Sequence, residues 1–411
     1  MKERFPVVKT KKRLFSLRYT VVLLCCFLAA LNVGGRHYYC VFAAFGLLLA
    51  LGCCTIPKNG QTLCLLVLAL SLMIFSPAAH DRLTSVLKPF TYLLSYITGY
   101  SVIRGRGAGE TMERTEAAVS RGILVAAAGP FLHMMLNYAA NYGSSIRNTV
   151  DIWSGAVLSA TGQAALGCLP VGVACGVLFS DRKAAGKLPA VGVLALILGY
   201  DLILAGRTLV ALVLAVLLLA GVFTLIAAPC GRGRKRIFAF VLAVCVILLA
   251  LYLNNGFGVR DMVEQSNLYD RFFGGAAVEP LSGGRWGGKL LYLGKFFEHP
   301  LGGSHIYRET GRYAHDLLLD TYDEAGIFAL LAIAAFVVKS GANLWAVLRS
   351  STCSFAFQQM VLCTYGACYI QFAVEPVLAG VPWLLALFCF IDGMVTGVLA
   401  QTPRPAPSME E

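Results

Sequence analysis

The sequence predicts an all-α, polytopic membrane protein, and three observations carry that expectation. Hydrophobic residues make up 58% of the 411-residue chain against 14% charged residues, and mean hydropathy is +0.71, a balance that excludes a soluble globular domain. Apolar runs of roughly 17 to 25 residues recur from end to end, each long enough to cross a hydrocarbon core of about 30 Å as a helix. The remaining polar residues are gathered rather than scattered, most densely between Ser282 and Gly326.

In chain order the runs are Leu14 to Val33, Tyr38 to Ile56, Gln61 to Ala79, Leu83 to Ile103, Val119 to Ala139 and Gly155 to Phe179. Leu188 to Leu204, Leu209 to Ala228, Ile237 to Leu253, Leu317 to Val338, Phe355 to Val374 and Val381 to Ala400 follow. Together they give about twelve spans in one membrane domain covering residues 1–411. The first run lacks a convincing small-residue cleavage site and reads as an uncleaved first helix rather than a removed signal. Lys and Arg resist translocation, so the segment with Lys2, Arg4, Lys9, Lys11, Lys12, Arg13 and Arg18 is expected in the cytoplasm. Counting onward, the loops with Arg104, Arg106 and Arg114, with Arg182, Lys183 and Lys187, and with Arg232, Arg234, Lys235 and Arg236 all fall inside. The short loops left outside hold little more than Arg36, Arg82, Arg147 and Arg207. An even span count returns residues 401–411, a Pro-rich tail, to the cytoplasm of what is read as a bacterial plasma-membrane protein.

The net charge of +12 is thus a topology signal. No aromatic-interleaved basic domain supports a nucleic-acid partner; the lipid bilayer is the expected surroundings. The 14 cysteines lie in or beside apolar runs, none in the large outer loop, and read as small buried hydrophobes rather than a disulfide framework or zinc site. No internal repeat and no pair of similar halves is visible.

Residues 254–316 form the one long outer-face loop, well above ordinary connection length. Asn255 to Gly258 and Gly274 with Gly275 read as turns. Leu290, Leu291, Leu293, Phe296 and Phe297 give Lys289 to Phe297 the spacing of a short amphipathic surface helix, which Pro300, Gly302 and Gly303 end. His315 and Asp316 then open the next span at the water interface, where the positive end of the helix dipole favours an anion.

Three strings in this region belong together: Ser282-Gly-Gly-Arg285-Trp286, Glu298-His299-Pro300-Leu301-Gly302-Gly303, and His315-Asp316 continuing to Glu324-Ala-Gly326. They resemble the signature region of the O-antigen ligase and polymerase superfamily, in which an Arg after Ser-Gly is followed by a His-Pro-Leu-Gly turn and a His-Asn entry into a helix with Glu and Gly further on. Gly206-Arg207-Thr208 resembles that family's Ser-Arg turn. The chain departs from the pattern at Asp316, where Asn is usual, and at Gly206, where Ser is usual. The resemblance is specific from Arg285 to Gly326 and compositional elsewhere. It implies a largely helical glycosyltransferase that takes a glycan from an undecaprenyl diphosphate donor on the outer face and joins it to a glycan or lipid-core acceptor, without a cofactor.

Residue chemistry agrees. A polyprenyl diphosphate donor needs no nucleotide loop, and GxxxxGK[ST] is absent. It needs cations on the diphosphate, and Arg207 and Arg285 offer planar guanidinium groups suited to phosphate oxygens. The acceptor hydroxyl needs a base. His, with an unperturbed pKa of about 6.5, suits proton removal near neutrality, so His315 is assigned that role, oriented by Asp316, Asp320 or Glu324. Glu324 could equally cap or pair within its helix. Asp316, Asp320 and Asp323 fall at i, i+4 and i+7 on one helix face, yet a lone His beside carboxylates is a weak metal signal and no metal is expected. Arg147, His305, Arg308, Arg312 and Tyr313 are candidate glycan contacts, or simply solvated loop residues. Trp153 reads as an interface anchor, and Asp151 and Asp201 are acids beside or within apolar runs. The competing reading is a transporter or flippase of the lipid-linked glycan; charges collected at one face and the missing repeats favour an enzyme.

Overall fold

The computed structural model describes residues 7–76, 82–105, 110–142, 148–181, 183–227, 232–273 and 285–401. Arg147, Gly274, Gly275, Ser282, and the tail from residue 402 lie outside them. The chain is all-α. Its helices are α1 (Val7–Leu31), α2 (His37–Ala50), α3 (Gly60–Phe75), α4 (Arg82–Arg104), α5 (Met112–Ala140), α6 (Ala160–Leu166), α7 (Cys168–Leu178), α8 (Leu188–Leu204) and α9 (Arg207–Ala227). After α10 (Arg232–Leu253) come the loop helices α11 (Val259–Glu264), α12 (Asn267–Phe273), α13 (Arg285–Gly294) and α14 (His305–Thr310). The last four are α15 (Leu317–Arg349), α16 (Phe355–Val374), α17 (Val377–Gly380) and α18 (Pro382–Leu399). Among the described residues the only strands are β1 (Asn148–Val150) and β2 (Val157–Ser159), an antiparallel hairpin with Asn148 opposite Ser159.

Among the described residues five helices are long and apolar enough to cross a membrane, or up to seven if each sharply bent pair counts as one span. This is fewer than the dozen expected, for physical reasons. The 14 residues of α2 and 16 of α3 fall short of the roughly 20 that a perpendicular crossing needs. Helices α4 and α16 are longer but carry Thr, Ser, Lys or Gln in their middles. The run Gly155 to Phe179 is broken: it holds β2, then α6 and α7, which meet at 42°. The run ending at Leu253 turns by 95° into the loop, at the Asn255 to Gly258 turn that the sequence marks.

Toward one end of the bundle a buried carboxylate ties five helices together. Asp392 of α18 has no solvent exposure and accepts hydrogen bonds from Gln61 Nε2 of α3 at 2.5 Å, Tyr365 Oη of α16 at 2.8 Å and Asn343 Nδ2 of α15 at 3.2 Å. Tyr96 of α4 donates its hydroxyl to Gln61 Oε1 at 3.0 Å. In a low-dielectric interior such a network holds only if every member is satisfied.

At the other end α15 is interrupted. Asp316 caps its first turn, accepting from the backbone N–H groups of Leu318 and Leu319. Ten residues further on, Gly326 adopts φ 79° and ψ −169°, a conformation open essentially to glycine alone. A break inside a span strands backbone donors and acceptors, and these must find partners within the protein. The Pro300 to Ser304 turn supplies them: Gly303 N–H donates to the Glu324 carbonyl at 3.1 Å, Ser304 N–H to the Asp323 carbonyl at 2.7 Å, and Ile327 N–H to the Pro300 carbonyl at 2.9 Å. The approach is so close that a Cβ on Gly302 would sit 2.5 Å from Gly326 N, and one on Gly326 would sit 2.6 Å from the Pro300 oxygen. The Pro-Leu-Gly-Gly string and Gly326 are thus two halves of one joint.

Gly326→Ala is expected to lower stability by at least about 2 kcal/mol, combining steric overlap with a disfavoured backbone. Gly192→Ala, whose Cβ would meet nothing within 4 Å, should be neutral or slightly stabilising. Thermal unfolding of the purified proteins in detergent checks both.

Candidate functional site

The α15 joint fixes the wall of a cavity of about 550 Å³. Its lining comes from the last turn of α3, the first turns of α4 and α15, α17, the start of α18, His37 at the start of α2, and the outer loop. These are the helix ends that the Lys and Arg bias assigns to one face. Polar groups in the lining include His37, Ser76, Lys88, Tyr92, Tyr292, Tyr307, Tyr313, Asp320, Asp323 and Glu324.

Beside the cavity runs a charged rim, organised by α13. This helix begins at Arg285, earlier than the expected Lys289, and ends at Gly294; Phe296 lies beyond it and stacks on Tyr322 at 4.3 Å between ring centroids. Arg285, Lys289 and Tyr292 stand at i, i+4 and i+7, on one face. Arg285 Nη2 donates to Glu375 Oε1 at 2.6 Å. Lys289 Nζ donates to Asp316 Oδ2 at 3.0 Å and to the Ala373 carbonyl at 2.6 Å. Tyr292 donates its hydroxyl to the Arg312 carbonyl at 2.9 Å and lines the cavity. One helix face therefore leads from rim to cavity over about 10 Å.

His315 sits on this rim with φ 54°, an unusual backbone for a residue with a side chain. Its Nδ1 is buried, makes no hydrogen bond among the described residues, and lies 3.9 Å from Glu375 Oε2. Glu375, 3% exposed at its side chain, thus presents one oxygen to Arg285 and the other to His315. The three carboxylates expected to orient His315 are engaged elsewhere. Asp316 is occupied by the α15 amides and Lys289. Asp320 accepts from the backbone N–H groups of Ala314 and Asp316. Glu324 Oε1 accepts from the Ser76 hydroxyl at 2.8 Å, so it belongs to the cavity and neither caps nor pairs within its helix. The signal for Glu375 was available in the sequence: an acid followed by Pro376, directly after the long apolar run of α16.

Arg207 opens α9, which lies antiparallel to α16. Gln359 Nε2 donates to Thr224 Oγ1 at 2.7 Å, and a Cβ on Gly366 would meet Leu219. Continuing that register for about 25 Å along both helices brings Arg207 level with Glu375, at the same end as Arg285 and His315. The turn before Arg207 is fixed by Asp201, fully buried, whose Oδ1 accepts the Gly206 N–H at 3.1 Å. A Cβ at position 206 would lie 2.6 Å from that oxygen, which accounts for glycine where the resemblance leads one to expect serine.

The other sequence candidates divide. Tyr313 lines the cavity and stacks on Tyr307 at 4.4 Å; burial and the neighbouring Tyr307 hydroxyl push its own hydroxyl pKa up to about 12. His305 stacks on His299 at 4.7 Å, and Arg308 and Arg312 are exposed; none of the three lines the cavity. Arg147 lies outside the described residues. Backbone amides engage the acidic face: Asp323 accepts from the N–H groups of Ile306 and Tyr307, as Asp316 and Asp320 do from theirs. Among the described residues one group has metal-like spacing, Glu298, His299 and Glu309. Lys295 Nζ already sits between its carboxylates, at 3.2 Å from Glu298 and 2.5 Å from Glu309.

Asp151 proves to be a staple for the β1–β2 hairpin. Its Oδ1 meets His133 Nε2 at 2.5 Å and accepts from Asn137 Nδ2 at 3.2 Å, and its Oδ2 accepts from the backbone N–H and hydroxyl of Ser154. Burial opposes its ionisation, but the hydrogen bonds from His133 and Ser154 outweigh it and hold the pKa well below its ordinary 3.8. A depressed carboxylate pKa stabilises the fold above the unfolded value and loses that contribution as pH falls toward the folded one. Asp151→Asn should therefore lower the unfolding midpoint at pH 7 and flatten its decline below about pH 4, measured by thermal unfolding across pH.

No protein-family model and no curated protein matches this chain.

Proposed function

We propose that the protein is a membrane glycosyltransferase of the O-antigen ligase and polymerase type. In this reading the shorter, bent and more polar helices also cross, so that the chain spans the cytoplasmic membrane of a bacterium about twelve times, with both termini inside. It transfers or polymerises glycan from an undecaprenyl diphosphate donor on the outer face. The observation that carries the reading is the meeting of Arg285 and His315 on the two oxygens of Glu375, at the rim of a polar cavity between helix ends.

The residues divide the work as follows. Arg285, with Arg207 at the same end of the bundle, holds the donor diphosphate and offsets the charge that builds on its leaving oxygen. His315 Nε2 takes the proton of the acceptor hydroxyl, while Nδ1 faces the carboxylate that favours the resulting imidazolium. The acceptor oxygen then bonds to the anomeric carbon as the bond from that carbon to the diphosphate breaks.

The rival reading, a transporter of the same lipid, draws on Asp392, a fully buried carboxylate amid the bundle. Movement of lipid-linked glycan across vesicles without a new glycosidic bond would favour it.

Purified protein given undecaprenyl diphosphate oligosaccharide should form product with or without a chelator. Arg285→Ala and His315→Ala should each slow product formation by at least about a hundredfold, the usual effect of deleting one group aimed at developing charge. Unchanged rates in both variants would refute the assignment.

A further inference from the structure

The charged groups at this end of the molecule differ between rim and cavity. On the rim Arg285 and Lys289 are each paired with one carboxylate, Glu375 and Asp316, whereas the cavity is lined by Asp320, Asp323 and Glu324 against Lys88. An anion entering the cavity would face the carboxylates of Asp323 and Glu324 in a partly dehydrated space, where repulsion is far less screened than in water. The diphosphate is matched by the rim and opposed by the cavity.

The cavity nevertheless holds unspent hydrogen-bonding capacity. Tyr92 is 5% exposed and lines the cavity, and among the described residues its hydroxyl has no hydrogen-bond partner. His37, 4% exposed, uses Nδ1 on Asn32 at 3.3 Å, and its Nε2 has no partner among the described residues. Glu324 spends Oε1 on Ser76, while Oε2 has none among the described residues. Opening onto the cavity, these groups can exchange water for the hydroxyls of a ligand. The stacked rings of Tyr307 and Tyr313 add an amphipathic platform of the kind that takes one flat face of a ligand and hydrogen-bonds its edge. A volume of about 550 Å³ lies in the ordinary range for small-ligand sites.

We propose that this cavity is the acceptor subsite and that it selects an uncharged sugar, excluding uronic acids and other anionic sugars. The proposal rests on the glycosyltransferase reading for the word acceptor; the charge selection rests on the cavity alone. Glu324 and Tyr92 bind sugar hydroxyls, Tyr307 and Tyr313 support one ring face, and the carboxylates reject an acidic substituent.

The test uses the full-length protein in detergent at pH 7, with cellobiose and cellobiouronic acid as probes and saturation-transfer NMR as the readout. Cellobiose should bind at least about tenfold more tightly, a gap of about 1.4 kcal/mol. Glu324→Gln should narrow that gap by strengthening uronate binding. Tyr92→Phe, which removes one hydroxyl and keeps the packing, should weaken cellobiose severalfold, and the thermal midpoint of each variant shows whether it is folded. Gly192→Ala, outside the cavity lining, should leave the binding of both sugars unchanged. Equal binding of the two sugars, or no binding of cellobiose, overturns the proposal. Selective sugar binding without any glycosyl transfer would instead overturn the reading of the whole protein as a transferase and leave the charge selection standing.

Discussion

Everything at the functional end of this molecule depends on one exchange of backbone hydrogen bonds. Inside a bundle of apolar helices an unpaired amide or carbonyl is expensive, so α15 can break at Gly326 only because another strand of backbone replaces the missing helical partners. The Pro300 to Ser304 turn does this with three hydrogen bonds and no side chains. Docking the turn sets the position of α14, whose first amides then find the Asp323 carboxylate. That in turn places Tyr307 and Tyr313 over the cavity. Helix break, loop docking and cavity wall are consequences of a single requirement.

The carboxylates of the first turns of α15 show how the same requirement changes the meaning of a sequence pattern. Asp316, Asp320 and Asp323 share a face, and a face of acids invites a metal reading. The structure gives each of them amide donors instead, so they act as anchors for the loop that leads into the helix. Glu324 differs from its neighbours because, among the described residues, its carboxylate accepts one hydrogen bond, from the Ser76 hydroxyl, and it lines the cavity. Glu375 differs again, placed between a guanidinium and an imidazole. Identical chemical groups within a few turns of one another thus have three distinct jobs, decided by what lies opposite.

Much of this was legible in the sequence, and the limits have physical causes. The helical class, the place of Asp316 at the start of α15 and a short helix around Leu290, though expected from Lys289 rather than Arg285, follow from apolar periodicity and helix-end chemistry, both local. The grouping of helix ends around the cavity agrees with the alternation of Lys and Arg between loops. Span number was less legible, because hydropathy does not register that α2 and α3 are short or that α6 and α7 meet at a bend. Glu375 was missed because its role depends on two residues distant in the chain, Arg285 and His315. The purpose of Gly326 and Gly302 also escaped, since each explains the other only when brought into contact.

The buried Asp392 network lies well away from the cavity along α18, and its ligands come from α3, α4, α15 and α16. The assembly is therefore locked by one set of side chains while a separate set confronts the solute. Distant groups that share no partners contribute almost independently, so positions such as Ser76, Tyr92 and His37 can drift without loosening the lock. That separation gives the scaffold evolvability: descendants could adopt new saccharides by altering a handful of wall residues while inheriting the same frame.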